Sequence, residues 1–258
     1  MQQAAESYTL EQGLERLPET REWVRSVLER LEGLLPIGQL KVLEVGCSQG
    51  RGLVALSELG HQAVGVEPHA PALAVAAELA ASQGVVIDAR EGTAESIPCE
   101  SGQFDLVLAF SVMEHVSDLD RSLAEIFRVL KPGGTFWFNS ASAMCPVQGE
   151  ITHLPLFGWY PDGLKRRIMY WARDNRPAWV GYTQTPAIHW WTPRKARRIL
   201  RGAGFTDIRD RWQLLDPGEV GSTKAPVVAL IRRNAALRAV GDIFVPDCSY
   251  AAVKPASA

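Results

Sequence analysis

Val42-Leu43-Glu44-Val45-Gly46-Cys47-Ser48-Gln49-Gly50-Arg51-Gly52, with Val64-Gly65-Val66-Glu67-Pro68 downstream, decides how the rest of the chain reads. Each stretch is a short apolar run rich in β-branched residues that stops in a turn. The first stops in glycines, which tolerate positive φ and carry no Cβ to hold a ligand away from the backbone. Glu67 stands twenty-one residues after Gly46, at the end of the second run. A carboxylate there can accept two hydrogen bonds from the hydroxyls of a ribose.

Outward from this pair the alternation continues. Residues 41–45, 62–66, 85–90, 104–110 and 134–139 read as strands, and the segments between them carry helix punctuation. Residues 53–59 stop at Gly60, residues 71–83 begin on Pro71 and stop at Gly84, and residues 119–130 follow Ser117 and Asp118. In the last of these Leu119, Leu123, Ile126, Phe127 and Leu130 form one apolar stripe suited to a sheet face. Thr192-Pro193 opens another helix, which ends at Gly202-Ala203-Gly204, and strands follow at 205–212 and 249–254. Strands alternating with helices specify an α/β, doubly wound, mostly parallel sheet. Ahead of it, Leu10, Leu14, Leu17, Trp23, Val24, Val27, Leu28, Leu31 and Leu34 fall at mostly helical spacing, with Pro18 dividing them into two helices. The expected organisation is a helical lead-in over 1–38 and one domain over 39–258, interrupted at 141–191 and 213–247. Insertions at such points decorate the carboxyl edge of the sheet, where ligands bind.

Composition narrows the function classes. A chain of 258 residues, 47% hydrophobic, has room for one such domain. A net charge of −2 supplies no basic field for a phosphate backbone, so nucleic acid is not an expected partner. Cys47, Cys99, Cys145 and Cys248 fall singly, without the paired spacing of a structural zinc site or a disulfide framework. No clustered His or carboxylate spacing suggests a divalent metal. There is no basic segment followed by an apolar run at the start, and no apolar stretch of about 18 residues. A cytoplasmic protein is expected, with membrane contact at most peripheral.

From about Leu40 to Gly134 the chain resembles the class I S-adenosylmethionine (SAM)-dependent methyltransferases of the small-molecule branch. It is similar to the ubiquinone- and menaquinone-biosynthesis type and, more loosely, to envelope-glycan methyltransferases. Glu44, Gly46 and Gly50 match the acidic-x-Gly-x-Gly-x-Gly signature, with Ser48 at its middle glycine. Glu67 matches the ribose-binding acid. Glu91-Gly92-Thr93-Ala94-Glu95-Ser96-Ile97-Pro98 looks like the family's adenine-lining Gly-Asp-Ala-Glu-x-Leu-Pro segment, with Thr93 where Asp is common. Phe104-Asp105-Leu106-Val107, the loop Ser111-Val112-Met113-Glu114-His115-Val116 and Leu130-Lys131-Pro132-Gly133-Gly134 match the fourth strand, its loop and the late turn. The resemblance implies a seven-stranded Rossmann-like sheet whose last strand is antiparallel. It implies SAM as cofactor, S-adenosylhomocysteine (SAH) as product, and cofactor contacts from Glu44, Gly46, Cys47, Gly50, Glu67, Pro68, Thr93, Ala94, Glu95 and Ser111.

Rival readings remain in view. A nicotinamide oxidoreductase shares the sheet and the ribose acid but wants Gly-x-Gly-x-x-Gly, and the glycines at 46, 50 and 52 have other spacing. An amino-directed nucleic-acid enzyme would carry an Asn/Asp-Pro-Pro-aromatic run where this chain has Phe110-Ser111-Val112-Met113, and Pro98-Cys99 comes before the fourth strand, ahead of where a cytosine C5 nucleophile belongs. A catalytically silent binding module on the same fold is the third.

Methyl transfer to a hydroxyl needs a base for the departing proton, and histidine suits neutral pH. His61 and His69 flank the second strand as solvated loop residues, whereas His115, His153 and His189 are the catalytic candidates. Between Cys145 and Thr192 lie Phe157, Trp159, Tyr160, Tyr170, Trp171, Trp179, Tyr182, Trp190 and Trp191, interleaved with Lys165, Arg166, Arg167, Arg173 and Arg176. The segment reads as a lid over a small-molecule, glycan or lipid-linked acceptor, or as an ordinary helical cap with solvated charges. Trp, Tyr and basic side chains also suit a lipid headgroup level.

Overall fold

The computed structural model describes residues 8–149, 151, 153–180, 185–215 and 225–256; Thr152 and Tyr182 of the aromatic segment lie outside them. Helix α1 (Leu10–Leu31) leads in, its first turn capped by the Thr9 side chain, which accepts from the Gln12 N–H. The strands are β1 (Lys41–Val45), β2 (Gln62–Glu67), β3 (Asp88–Glu91), β4 (Phe104–Phe110), β5 (Leu130–Ala141), β6 (Thr206–Asp210) and β7 (Asp247–Val253). Between them come α2 (Arg51–Glu58), α3 (Ala70–Gln83), α4 (Leu119–Val129), α5 (Asp162–Asn175), α6 (Pro193–Gly202), α7 (Arg211–Leu214), α8 (Ala225–Arg233) and α9 (Ala235–Ile243).

The sheet has seven strands in the order β3-β2-β1-β4-β5-β7-β6. β1 to β5 pair in parallel, and β7 runs antiparallel to both of its neighbours. This is the doubly wound sheet with an antiparallel last strand that the sequence implies. Side chains alternate between faces along each strand, so the two faces build separate cores. Leu43, Val107, Phe136 and Phe138 pack with Leu123, Ile126 and Leu200 of α4 and α6. Val42, Leu106, Leu108 and Trp137 pack with Val24, Val27, Leu53 and Leu56 of α1 and α2.

Three expectations need correction. The lead-in is one helix, with Pro18 inside it, where two were expected. An interior proline leaves the carbonyl four residues back without its N–H partner, and Leu14, the residue concerned, lies on the exposed side at 39%. Burial of Leu17 and Val24 on the other side, with Arg21 bonded to Glu58 and Gln83 of the neighbouring helices, carries the helix through. The third strand starts at Asp88, where residue 85 was expected, because Val85 N–H closes the end of α3 on Ala80 O and Val86 points to solvent. The strand expected over 205–212 stops at Asp210, whose carboxylate accepts the Gln213 N–H in a capping box that starts α7.

The segment 141–191 has a small core of its own, in which Phe157, Met169, Ala172 and Trp190 are buried. Its last residue belongs elsewhere: Trp191 is fully buried in the main core against Phe138, with ring centroids 5.0 Å apart. Trp191 N–H donates to Ala141 O at 2.9 Å, which stitches the end of the segment onto the end of β5. No helix among the described residues is long and apolar enough to cross a membrane.

Candidate functional site

Because β1 to β5 are parallel and adjacent, their carboxyl ends share one edge, and the sheet order sets the sequence along it. The loop after β3 comes first, then Glu67, Gly46, the Phe110-Ser111 end of β4, and Asn139 of β5. Predicted adenine, ribose and turn contacts therefore lie along one edge in the order a nucleoside-bearing ligand requires.

The β1 turn is built for close approach. Gly46 has φ +71, and a Cβ there would collide with Val112 of the loop after β4. Gly50 also has positive φ, and Ser48 reaches φ +47 without being glycine. Ser48 is held there by its N–H, which donates to Glu67 Oε2 at 3.0 Å, while His69 N–H donates to Oε1 at 3.1 Å. Two backbone donors thus fix the Glu67 carboxylate against the turn. Gly46 N–H and Cys47 N–H both donate to Val66 O, at 2.7 and 3.2 Å. The Cys47 side chain is buried and packs where Gly65 has no Cβ, and burial pushes its thiol well up.

Glu44 is 5% exposed, and its Oε2 has no hydrogen-bond partner among the described residues. A Cβ on Gly52 would lie 2.5 Å from that oxygen, so Gly52 is the space the carboxylate occupies. Burial pushes the Glu44 carboxyl up to about 8, nearby Arg51 opposing and Glu67 adding to the rise. An orphaned buried acid beside a glycine turn is a site that wants a cation, and SAM carries two, the sulfonium and the α-ammonium. A cavity of about 420 Å³ opens here, lined by Glu44, Gly46, Cys47 and Ser48 together with Arg51, Phe110 and Asn139, and by Glu19, Thr20 and Trp23 of α1. The residues present fit the cofactor.

The other predicted contacts are not in its lining; Gly50 and Glu67 lie beside it at the turn, Glu67 bonded to Ser48 N–H. Pro68 and Thr93 are exposed, and Ala94 is buried. Glu95 accepts Ser117 N–H and Oγ–H at 2.8 Å each and Asp118 N–H at 3.3 Å. Burial would raise its carboxyl, but these bonds outweigh it and hold Glu95 below its ordinary value. It anchors the loop that carries His115. Ser111, at φ +52, donates its N–H to Asn139 Oδ1 at 3.0 Å and joins the ends of β4 and β5.

The three histidines separate. His115 is half-buried, with Nδ1 2.8 Å from Thr185 O; a carbonyl can only accept, so Nδ1 carries a proton and donates. His189 has the opposite tautomer, Nε2 donating to Val116 O at 3.0 Å, and burial lowers its pKa. His153 is exposed and stacks on Trp179, centroids 5.1 Å apart. Among the described residues no group of three or more His, Cys, Asp or Glu is placed to hold a metal.

The motif reading passes over Glu114, which is 3% exposed and accepts from Ser140 Oγ at 2.7 Å; burial pushes it up to about 7. Its backbone oxygen accepts Ile188 and His189 N–H at 2.7 and 3.2 Å, tying the late part of the 141–191 segment to the loop. Glu19, Thr20 and Trp23 are also missed, since a Trp on the apolar stripe of a lead-in helix reads as packing.

The family described as Methyltransferase domain matches residues 43–138. A ubiquinone biosynthesis O-methyltransferase of Azorhizobium caulinodans is 37% identical over 203 residues, covering 74% of this chain and 75% of that protein. Its namesake from Chelativorans sp. is 36% identical over 134 residues, 50% of this chain, and there the chain spans about half the relative's length, 51%. Among solved structures, a SAM-dependent methyltransferase from Mesorhizobium loti superposes with TM-score 0.59 at 20% identity, covering 92% of this chain and all (100%) of that one. Phosphoethanolamine N-methyltransferase 2 of Haemonchus contortus, solved with SAM, superposes with TM-score 0.56 at 20% identity over 92% of this chain and 56% of that one. The glycine turn, the acid beside it and the sheet that aligns them belong with these relatives: the chain is a member of the class I SAM-dependent methyltransferase family.

Proposed function

We propose that the protein transfers the methyl group of SAM to a hydroxyl oxygen of a small ring-bearing acceptor, of the kind that the name of its ubiquinone biosynthesis relatives implies. SAM, when bound, supplies an electrophilic methyl on a cationic sulfur. Glu67 and the 44–50 turn hold the ribose and the amino-acid end, and Thr93 and Ala94 flank the adenine. The observation that carries the hydroxyl reading is His115. Val112, three residues before it, packs on Gly46, so the loop lies directly over the turn. The Thr185 carbonyl holds the ring through Nδ1, which leaves Nε2 as the nitrogen this reading assigns to the proton transfer. From there His115 accepts the acceptor's proton as oxygen attacks. His189 serves as a strut between the segment and the loop, and His153 stacks at the surface. Incubation with SAM and a panel of dihydroxybenzenes, with products read by mass spectrometry and NMR, tests the reading. Methyl groups on oxygen support it; methylation at nitrogen or carbon alone contradicts it.

A lipid-linked acceptor is the finer form of this reading, and α5 favours it. Leu164, Arg167 and Trp171 lie exposed along one side of the helix, with Tyr170 beside them and Trp159 just ahead. That face suits the headgroup level of a membrane and would bring the segment's acceptor side to a lipid-borne substrate. Co-sedimentation with anionic vesicles, lost in Trp171→Ala, is the check.

A further inference from the structure

The donor cavity has an unusual wall. Its lining joins two carboxylates, Glu19 and Glu44, to two half-buried aromatic rings, Trp23 and Phe110, whose centroids lie 3.7 Å apart at 52°. Trp137 backs the pair, 5.6 Å from Trp23 and 5.3 Å from Phe110. Arg51 is the cation in the lining. Aromatic faces carry negative charge, and rings grouped with acids are the chemistry that recognises a compact cation poor in hydrogen-bond donors. An ammonium finds hydrogen-bond acceptors almost anywhere, whereas a sulfonium has no N–H or O–H to donate and is read by charge and contact alone.

We propose that Trp23 and Phe110, with the Glu19 and Glu44 carboxylates around them, form a cation-reading wall for the sulfonium of SAM, and that this wall makes the protein hold SAM in preference to SAH. The proposal rests on the SAM reading of the site and adds a role for α1, which becomes part of the donor site. SAM and SAH share adenine, ribose and amino-acid end, so Glu67, the glycine turn and a contact to the α-ammonium treat both alike. They differ in one methyl group and one positive charge, which only a group beside the sulfur can sense. After transfer the charge is gone, and the same wall favours exchange of product for donor. The orphaned Oε2 of Glu44 agrees with a wall that lacks a partner for one of its acids.

Calorimetric titration of the full chain with SAM and with SAH measures the preference directly. The parent is expected to bind SAM more tightly than SAH. In Trp23→Leu and in Phe110→Leu the ratio of the two dissociation constants should shift toward SAH by about five- to tenfold. Trp23→Phe should keep most of the preference, and its retention would separate the loss of a ring from the loss of packing, since Trp23 also touches the core. Quenching of tryptophan fluorescence should be larger for SAM than for SAH in the parent and should be equal for the two in Trp23→Leu. If the leucine variants weaken both ligands equally, Trp23 and Phe110 are only a wall and the proposal is overturned. A parent that binds neither ligand overturns the donor site itself, a different failure from the first.

Discussion

At the scale of single residues, two side chains carry predictions, the buried Glu44 and the half-buried His115. Burial pushes the Glu44 carboxyl up to about 8, which favours its neutral form in the ligand-free protein at neutral pH. A cation entering the cavity favours the ionised form, so SAM binding should release a proton. Affinity for SAM should then rise with pH between 6 and 8, by at most about tenfold per pH unit. Arg51, Glu67 and Glu19 also face the cavity or the turn, so the assignment depends on Glu44→Gln flattening the profile. Titration in buffers of different ionisation enthalpy measures the proton directly; no release at pH 7 speaks against Glu44 as the cation's partner. His115 makes the second residue-scale prediction. As a base accepting at Nε2 it is worth roughly 100-fold to 10,000-fold in rate. His115→Ala should lose such a factor in kcat while SAM affinity stays within about twofold. A variant that keeps its rate returns His115 to its role of bonding Thr185. That the glycine turn of Glu44, Gly46 and Gly50 would meet Glu67 was legible, because adjacent parallel strands of this spacing end side by side. Glu114 was not, since a carboxylate inside an apolar loop shows its burial only once β5 brings Ser140 to it.

At the scale of elements, strand identity was readable and boundaries were not. Short β-rich runs mark β1, β2, β4 and β5 in the sequence, but the ends of β3 and β6 are set by neighbours: Val85 closes α3, and Asp210 caps α7. Pro18 misled for a similar reason, since local propensity breaks a helix there and tertiary burial of Leu17 and Val24 overrides it. The aromatic segment shows the same limit. Its Trp and Lys residues looked alike in sequence, yet Trp190 and Trp191 are buried while Trp171 is 50% exposed. Lys165, read among the solvated or interfacial cations, is 1% exposed, its Nζ 3.0 Å from Asp162 and 4.2 Å from the centre of the Trp190 ring. Since Phe157, Met169 and Val180 belong to a core separate from the sheet, whereas Trp191 belongs to the main one, the lid role has a defined test. Replacing 147–184 with a short Gly/Ser linker and keeping 185–191 should leave a folded chain that binds SAM and no longer turns over acceptor. A chain that fails to fold, or one that keeps full activity, contradicts the lid role.

At the scale of the molecule, the raised carboxyls tie stability to pH. Burial lifts Glu44 to about 8 and Glu114 to about 7 in the fold. The unfolded chain loses both protons near pH 4.3. Between these values the fold binds more protons than the unfolded chain, so the contribution present at low pH is lost as pH rises. The ligand-free protein should therefore melt at a lower temperature at pH 8 than at pH 5.5. Glu114→Gln, which keeps an acceptor for Ser140, should shrink that difference; an unchanged slope in the variant means that Glu114 does not stay protonated in the fold. Saturating SAM should offset the loss at high pH, since it binds the state that Glu44 reaches by ionising. All of this rests on one claim, that the edge where β1 and β2 end is a SAM site held by Glu67 and the glycine turn. Calorimetric titration of SAM into the parent and into Glu67→Ala tests it most directly. The parent should bind SAM saturably and one-to-one, and the variant at least about tenfold more weakly, from the loss of charged hydrogen bonds each worth about 1.5 to 3 kcal/mol. A folded Glu67→Ala that binds SAM as tightly as the parent would contradict it.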